Sequence, residues 1–207
     1  MFITLEGPEG SGKTSHIAPI CDWLTSQGKS VTATREPGGT PIGEQIRDVI
    51  HDMKNTEMHP RAEALLYQAA RAQIVEQVLR PSLAGGGIVI CDRYFDSTLA
   101  YQGYGHQVIP LEDLRGIIRF ATGGLVPDLT ILLDLPVQVG LHRKSNQQEW
   151  NRLDAFTVDF HERVRKGYHE LVALEPARWA VVDADRDWEA IQAEIRQIIS
   201  SRLPAQE

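Results

Sequence analysis

Apolar and polar positions along the chain fall into blocks of two kinds. Short runs rich in β-branched and aliphatic residues occur at Phe2–Glu6, Ser30–Arg35, Gly87–Cys91, Asp128–Asp134 and Arg178–Asp183, and these are the predicted strands. Between them apolar residues recur at three- and four-residue spacing. That periodicity predicts helices near Lys13–Gln27, Ile42–Asp52, Arg61–Leu79, Leu111–Ala121, Val137–Lys144, Ala155–Leu174 and Trp188–Ser201. Gly28 stops the first helix, and Pro60 and Pro110 stand where later ones begin. Strands alternating with helices predict an α/β fold, a parallel sheet between layers of helix. Two places interrupt the pattern. Pro19 falls inside the first helix and predicts a kink or local distortion, and Gly85-Gly86-Gly87 predicts a flexible turn into the third strand.

The first strand and helix are joined by Gly7-Pro8-Glu9-Gly10-Ser11-Gly12-Lys13-Thr14, a G-x-x-x-x-G-K-[ST] phosphate loop in the strand–turn–helix setting it requires. Its glycines let successive N–H groups and the positive helix start wrap a polyphosphate. Lys13 reaches the terminal phosphates, and the Thr14 hydroxyl is placed to ligate Mg²⁺. The chain therefore reads as a P-loop NTPase-like three-layer sandwich, a five-stranded parallel sheet flanked by helices, in one domain over residues 1–207.

Composition narrows the functional classes. A formal charge of −7 argues against nucleic acid as a partner, and no apolar run approaches membrane-spanning length. A cytoplasmic location is the default expectation. The two cysteines, Cys21 and Cys91, lie on apolar stretches and read as reduced packing residues. The seven histidines lack metal-ligand spacing and read as surface or loop residues.

Ligands of such sheets bind beyond the carboxyl ends of the strands. The polar residues expected there are the phosphate loop, Arg35-Glu36-Pro37-Gly38-Gly39-Thr40, Asp92-Arg93-Tyr94 and Asp134, four strand ends converging on one cleft. Asp92 suits a ligand to a metal-bound water near Lys13, and Arg93 offers a permanently charged fork to phosphate oxygens; a structural Asp–Arg pair is the other reading of the two. Tyr67 and Arg71, four apart on one helical face, can stack on a base and bond its carbonyl. They equally fit a packing residue beside a solvated neighbour.

Taken together, Glu6–Thr14, Arg35–Thr40, Tyr67-Gln68-Ala69-Ala70-Arg71, Asp92-Arg93-Tyr94-Phe95-Asp96-Ser97-Thr98-Leu99-Ala100-Tyr101-Gln102-Gly103, Pro127–Thr130 and Asn151-Arg152-Leu153-Asp154 resemble the thymidylate kinases of bacterial type. Order and spacing match to about residue 170, and the Asp92–Gly103 stretch is specific to that family. The resemblance implies phosphoryl transfer from ATP to dTMP with Mg²⁺, a homodimer, and a mobile lid over about residues 142–154. It also implies roles. Arg93 and Arg47 would hold the dTMP phosphate, with Glu36 and Pro37 beside the acceptor. Tyr67, where the family usually has Phe, would stack on thymine, and Arg71, Thr98 and Gln102 would read the base. Tyr101 would pack beneath the deoxyribose, and Glu9 would stand near the sugar and reacting phosphates.

The lid departs from the family pattern. His142–Trp150 holds fewer basic residues than expected beside a Glu9-Gly10 loop, and Asn151 and Asp154 replace the more usual Asp and Glu around Arg152. Arg152 and Arg143 are the candidate lid cations, Arg143 and Lys144 reading equally as a solvated helix end. Two rivals remain at this stage. One is a P-loop kinase for another nucleoside monophosphate or a nucleoside, which the Asp92–Gly103 stretch opposes. The other is a regulatory ATPase, which gives Tyr67 and Arg71 no task.

Overall fold

The computed structural model describes residues 1–145 and 151–203. Strands β1 (Phe2–Glu6), β2 (Val31–Arg35), β3 (Ile88–Asp92), β4 (Leu129–Asp134) and β5 (Trp179–Asp183) form one sheet, wholly parallel, in the order β2-β3-β1-β4-β5. Each lies within one residue of its predicted bounds. β1 and β3 are buried at every position, as central parallel strands must be when helices cover both faces.

Alternate residues of the central strands feed two cores. Phe2, Val89 and Cys91 face one, with Ile74, Tyr94, Leu114 and Tyr168. Ile3, Leu5 and Ile90 face the other, with Ile20, Leu24, Ile195 and Ile199. The second core lies under α1 (Lys13–Ser26) and α9 (Trp188–Arg202), and the first under α3 (Pro60–Ile74), α6 (Leu111–Thr122) and α8 (Val158–Leu174). α2 (Pro41–His51) packs on α3 and α3 on α6. α7 (Val137–Ser145) follows β4. α1 continues as one helix across Pro19.

Three elements differ from the periodicity. The predicted helix Arg61–Leu79 is α3, then a π-helical turn Val75–Leu79, then α4 (Arg80–Ala84). Pro81 has no N–H to continue an α ladder, and the Arg80 N–H reaches back five residues to Val75 O. After β3 the chain forms α5 (Phe95–Thr98) and a second π-helical turn, Leu99–Gly105, where no helix was expected. α8 starts at Val158 instead of Ala155, because Thr157 caps it, accepting from the Phe160 N–H at 3.3 Å.

Candidate active site

The register levels the carboxyl ends of three strands. Leu5 pairs with Asp92 and Arg35 pairs with Asp92 from the other side, so the phosphate loop, Arg35–Pro37 and Asp92–Arg93 open onto one edge. They border a cleft of about 950 Å³, at the upper end for small-molecule sites.

The phosphate loop is closed by positive φ at Gly7, Gly10 and Gly12. Gly10 abuts the Gly140 carbonyl of α7, and a Cβ there would run into it. Lys13 is folded onto its own loop, donating to Gly7 O at 3.1 Å, Pro8 O at 2.9 Å and Ser11 Oγ at 3.0 Å. Burial, with Arg93 adding, brings its ammonium down to about 8 against the pull of Glu9 and Asp92. The Thr14 hydroxyl donates to Asp92 Oδ2 at 2.6 Å. One hydroxyl and one carboxylate at the mouth of a phosphate loop fit Mg²⁺, which takes most of its ligands from phosphates and water.

Arg93 joins the loop to the other half of the cleft. Its Nη1 donates to Gly7 O at 3.0 Å, Ser97 Oγ at 3.1 Å and Tyr168 OH at 3.2 Å. Its Nη2 donates to Glu9 Oε1 at 3.0 Å and Tyr101 OH at 3.2 Å. Tyr101 OH also donates to Glu9 Oε1 at 2.8 Å. Burial alone would raise the Glu9 carboxyl, but Arg93, Lys13 and the Tyr101 bond hold it at about 2.

The far half is built by α2, α3 and the second π turn. The Arg71 guanidinium, 1 % exposed, donates to Glu36 Oε2 at 2.8 Å, Gln68 Oε1 at 2.7 Å and Thr98 Oγ1 at 2.9 Å. Gln102 Nε2 donates to Glu63 Oε1 at 2.8 Å. Arg47 donates to Pro37 O at 3.0 Å, after a cis Glu36–Pro37 peptide.

A family model described as thymidylate kinase matches residues 5–195. A thymidylate kinase of Roseiflexus sp. (strain RS-1) is 48% identical over 215 residues, covering 98% of this chain and 95% of the relative. One of Deinococcus radiodurans is 49% identical over 203 residues, covering 98% and 97%. The chain belongs to the thymidylate kinase family. The crystal structure of thymidylate kinase from Ehrlichia chaffeensis superposes with a TM-score of 0.78 at 30% identity, covering 97% of this chain and 98% of that one. The protein is thus a kinase with that family's reaction, phosphoryl transfer to thymidylate.

Of the residues assigned through thymidylate kinase resemblance, Glu36, Pro37, Arg47, Tyr67, Arg93, Tyr101 and Gln102 border the cleft together with the loop and Asp92. Arg71 and Thr98 stand just behind that wall, bonded to each other. The two candidate lid cations are engaged elsewhere. Arg143 bonds Ala184 O at 2.8 Å and Asp185 Oδ1 at 2.9 Å, and Arg152 bonds Ile50 O at 3.0 Å and pairs with buried Glu63. Lys144 borders the cleft. Residues 146–150 of the expected lid lie outside the described residues.

Two expectations are corrected. Asp134 does not turn into the cleft: Arg165 of α8 grips both its oxygens, at 2.8 and 2.9 Å. The histidines are not all superficial. His16 is buried, bonding Gln192 at 2.7 Å and stacked on Trp188, His161 is buried on α8, and His51 borders the cleft. Cys21 and Cys91 are free thiols. Ser97 and Tyr168, both partners of Arg93, carried no assigned role. Ser97 lay within a motif already singled out, but Tyr168, 75 positions from Arg93, had no local signal.

Proposed function

We propose that the cleft binds MgATP on the phosphate loop and dTMP against Arg93 and α3, and transfers the γ-phosphoryl group of ATP to dTMP, giving dTDP and ADP for dTTP synthesis. The observation that carries this reading is Arg93 itself, which bonds Gly7 and Glu9 of the loop and Tyr101 of the far wall with one guanidinium. A fork at that junction meets the acceptor phosphate where the transferred group must arrive.

Phosphoryl transfer needs positioning and charge neutralisation more than covalent chemistry. Lys13 and the loop N–H groups hold the donor phosphates. Thr14 and Asp92 would hold Mg²⁺, which would supply neutralising charge to the phosphates. Arg93 and Arg47 hold the acceptor phosphate, whose oxygen is already ionised near neutral pH, so no general base is required. Glu36 Oε1 is buried at the cleft without a hydrogen-bond partner, which suits acceptance of a bond from the acceptor. Tyr67 stacks on thymine, Arg71, Thr98 and Gln102 read its edge, and Tyr101 packs under the sugar.

Residues 1–207 act as one domain in this reading, and the lid over about 142–154 closes to exclude water. Lys144 is already at the cleft, whereas Arg143 and Arg152 reach the transferring group only on leaving Asp185 and Glu63. A homodimer is part of the proposal, supported by apolar side chains left exposed on neighbouring helices: Val49 of α2, Leu65 of α3 and Phe120 of α6, the last 89% exposed. A cytoplasmic setting is also proposed, supported by two free thiols and an ATP-dependent reaction. No helix among the described residues is long and apolar enough to cross a membrane.

Incubation with ATP, dTMP and Mg²⁺ tests the reaction. The reading predicts dTDP and ADP in equal amounts and no product after chelation of the metal. ADP released without dTDP would refute it.

A further inference from the structure

Arg93 adopts φ +67°, a left-handed conformation that is unfavourable for a long side chain and persists only when neighbours impose it. Two bonds impose it. The Arg93 N–H donates to Leu5 O at 2.9 Å, and the Tyr94 N–H donates to Glu6 Oε1 at 2.8 Å. Glu6 is the last residue of β1, fully buried, and does not border the cleft.

The same carboxylate also controls the guanidinium end. Glu6 Oε2 accepts the Ser97 hydroxyl at 2.6 Å and the Tyr168 hydroxyl at 2.9 Å. A hydroxyl has one proton. Once it is given to a carboxylate, the oxygen offers only lone pairs to other neighbours. Those lone pairs meet Arg93 Nη1, at 3.1 Å from Ser97 Oγ and 3.2 Å from Tyr168 OH. An ionised Glu6 on β1 therefore sets both hydroxyls, one from α5 and one from α8, as acceptors for the cation.

We propose that Glu6 is a positioning residue for the acceptor phosphate, fixing the Arg93 backbone through the Tyr94 N–H and the Arg93 fork through the Ser97 and Tyr168 hydroxyls. The inference rests on the reading that Arg93 holds the dTMP phosphate. Burial, with Asp96 adding, pushes the Glu6 carboxyl up to about 7 despite the opposing charge of Arg93, so pH 8, above that value, is the pH at which to examine it. Replacement by Gln keeps the volume but brings an NH₂ that cannot accept from Tyr94, Ser97 or Tyr168.

The test is a double-mutant cycle of Glu6→Gln and Arg93→Lys, with steady-state kinetics for both substrates at pH 8. Glu6→Gln should lower kcat/KM for dTMP by about tenfold or more, leave the KM for ATP within about twofold, and cost little further in the Arg93→Lys background, because coupled residues are not additive. Tyr168→Phe combined with Ser97→Ala should reproduce that signature with Glu6 intact, and it carries the test alone if Glu6→Gln does not fold. Equal losses in both backgrounds, or a matching rise in the KM for ATP, would mean a merely structural role and overturn the proposal. Arg93→Lys that impairs dTMP turnover beside a silent Glu6→Gln overturns it alone. Arg93→Lys with normal dTMP kinetics overturns the reading of Arg93 as well.

Discussion

Arg93 and Glu9 form an ion pair at 3.0 Å across the centre of the cleft, one from the end of β3 and the other from the phosphate loop. The pair is mostly shielded, at 15% and 17% side-chain exposure, so it is screened less than a surface pair. Glu9→Gln should lower kcat by about tenfold or more, since hydrogen bonds to charged groups contribute about 1.5–3 kcal/mol. The KM for dTMP should change less, because losing a negative charge beside the acceptor phosphate offsets the poorer positioning. Steady-state kinetics check this, and an unchanged kcat would contradict it.

Tyr67 borders the cleft while Arg71 stands behind it, so their substitutions should differ. Tyr67→Phe keeps the stacking ring and should leave dTMP kinetics nearly unchanged. Tyr67→Ala should raise the KM for dTMP about tenfold or more, since base–aromatic stacking is worth about 1–3 kcal/mol, with the KM for ATP unaffected. Arg71→Ala should additionally lower the thermal midpoint, because it strands the buried Glu36 carboxylate. An Arg71→Ala protein with native stability would contradict the pairing described.

Arg152 ties its segment to α3 by pairing with Glu63, which also accepts from Gln102. Breaking a buried ion pair costs on the order of 3–5 kcal/mol, so Arg152→Gln should lower stability in denaturant titrations and raise the KM for dTMP. A variant with native stability and a reduced kcat would instead mark Arg152 as a cation that meets the transferring group.

His51 carries a pH signature. Burial, with Arg47 adding, depresses its imidazole from 6.5 to about 4, so the folded protein keeps it neutral where the unfolded chain protonates. A depressed pKa contributes stability above pH 6.5, and that contribution is lost as pH falls towards 4. Stability measured at pH 7.5 and 4.5 should fall more for the wild type than for His51→Asn. Equal losses would contradict a half-buried histidine kept neutral at the cleft.

The strands were legible because a parallel sheet covered on both faces demands apolar runs at Phe2–Leu5 and Ile88–Cys91 that no other element explains. The phosphate loop and Asp92–Arg93 were legible because their chemistry is local in sequence. The π-helical turns were not: Val75–Leu79 keeps helix-compatible composition and reveals its widening only through the bonds it makes, whereas Leu99–Gly105, with Gly103 and Gly105, lacks a helical pattern altogether. Nor were the links between distant residues. Nothing near Asp134 announces Arg165, nothing near Arg152 announces Glu63, and Tyr168 reaches Glu6 across 162 positions. Such pairings are decided by how helices lie on the sheet, which periodicity does not encode.

The most direct test of the central claim is ADP release from MgATP measured against dTMP, dCMP, dAMP, dGMP and no acceptor. The account predicts turnover with dTMP at least about tenfold above every other acceptor and near-background release with ATP alone, because in the proposed reading Tyr67 and Gln102 at the cleft wall, with Arg71 behind them, discriminate the base of a phosphate-bearing acceptor. Equal rates across the panel, or ADP release that needs no acceptor, would contradict it.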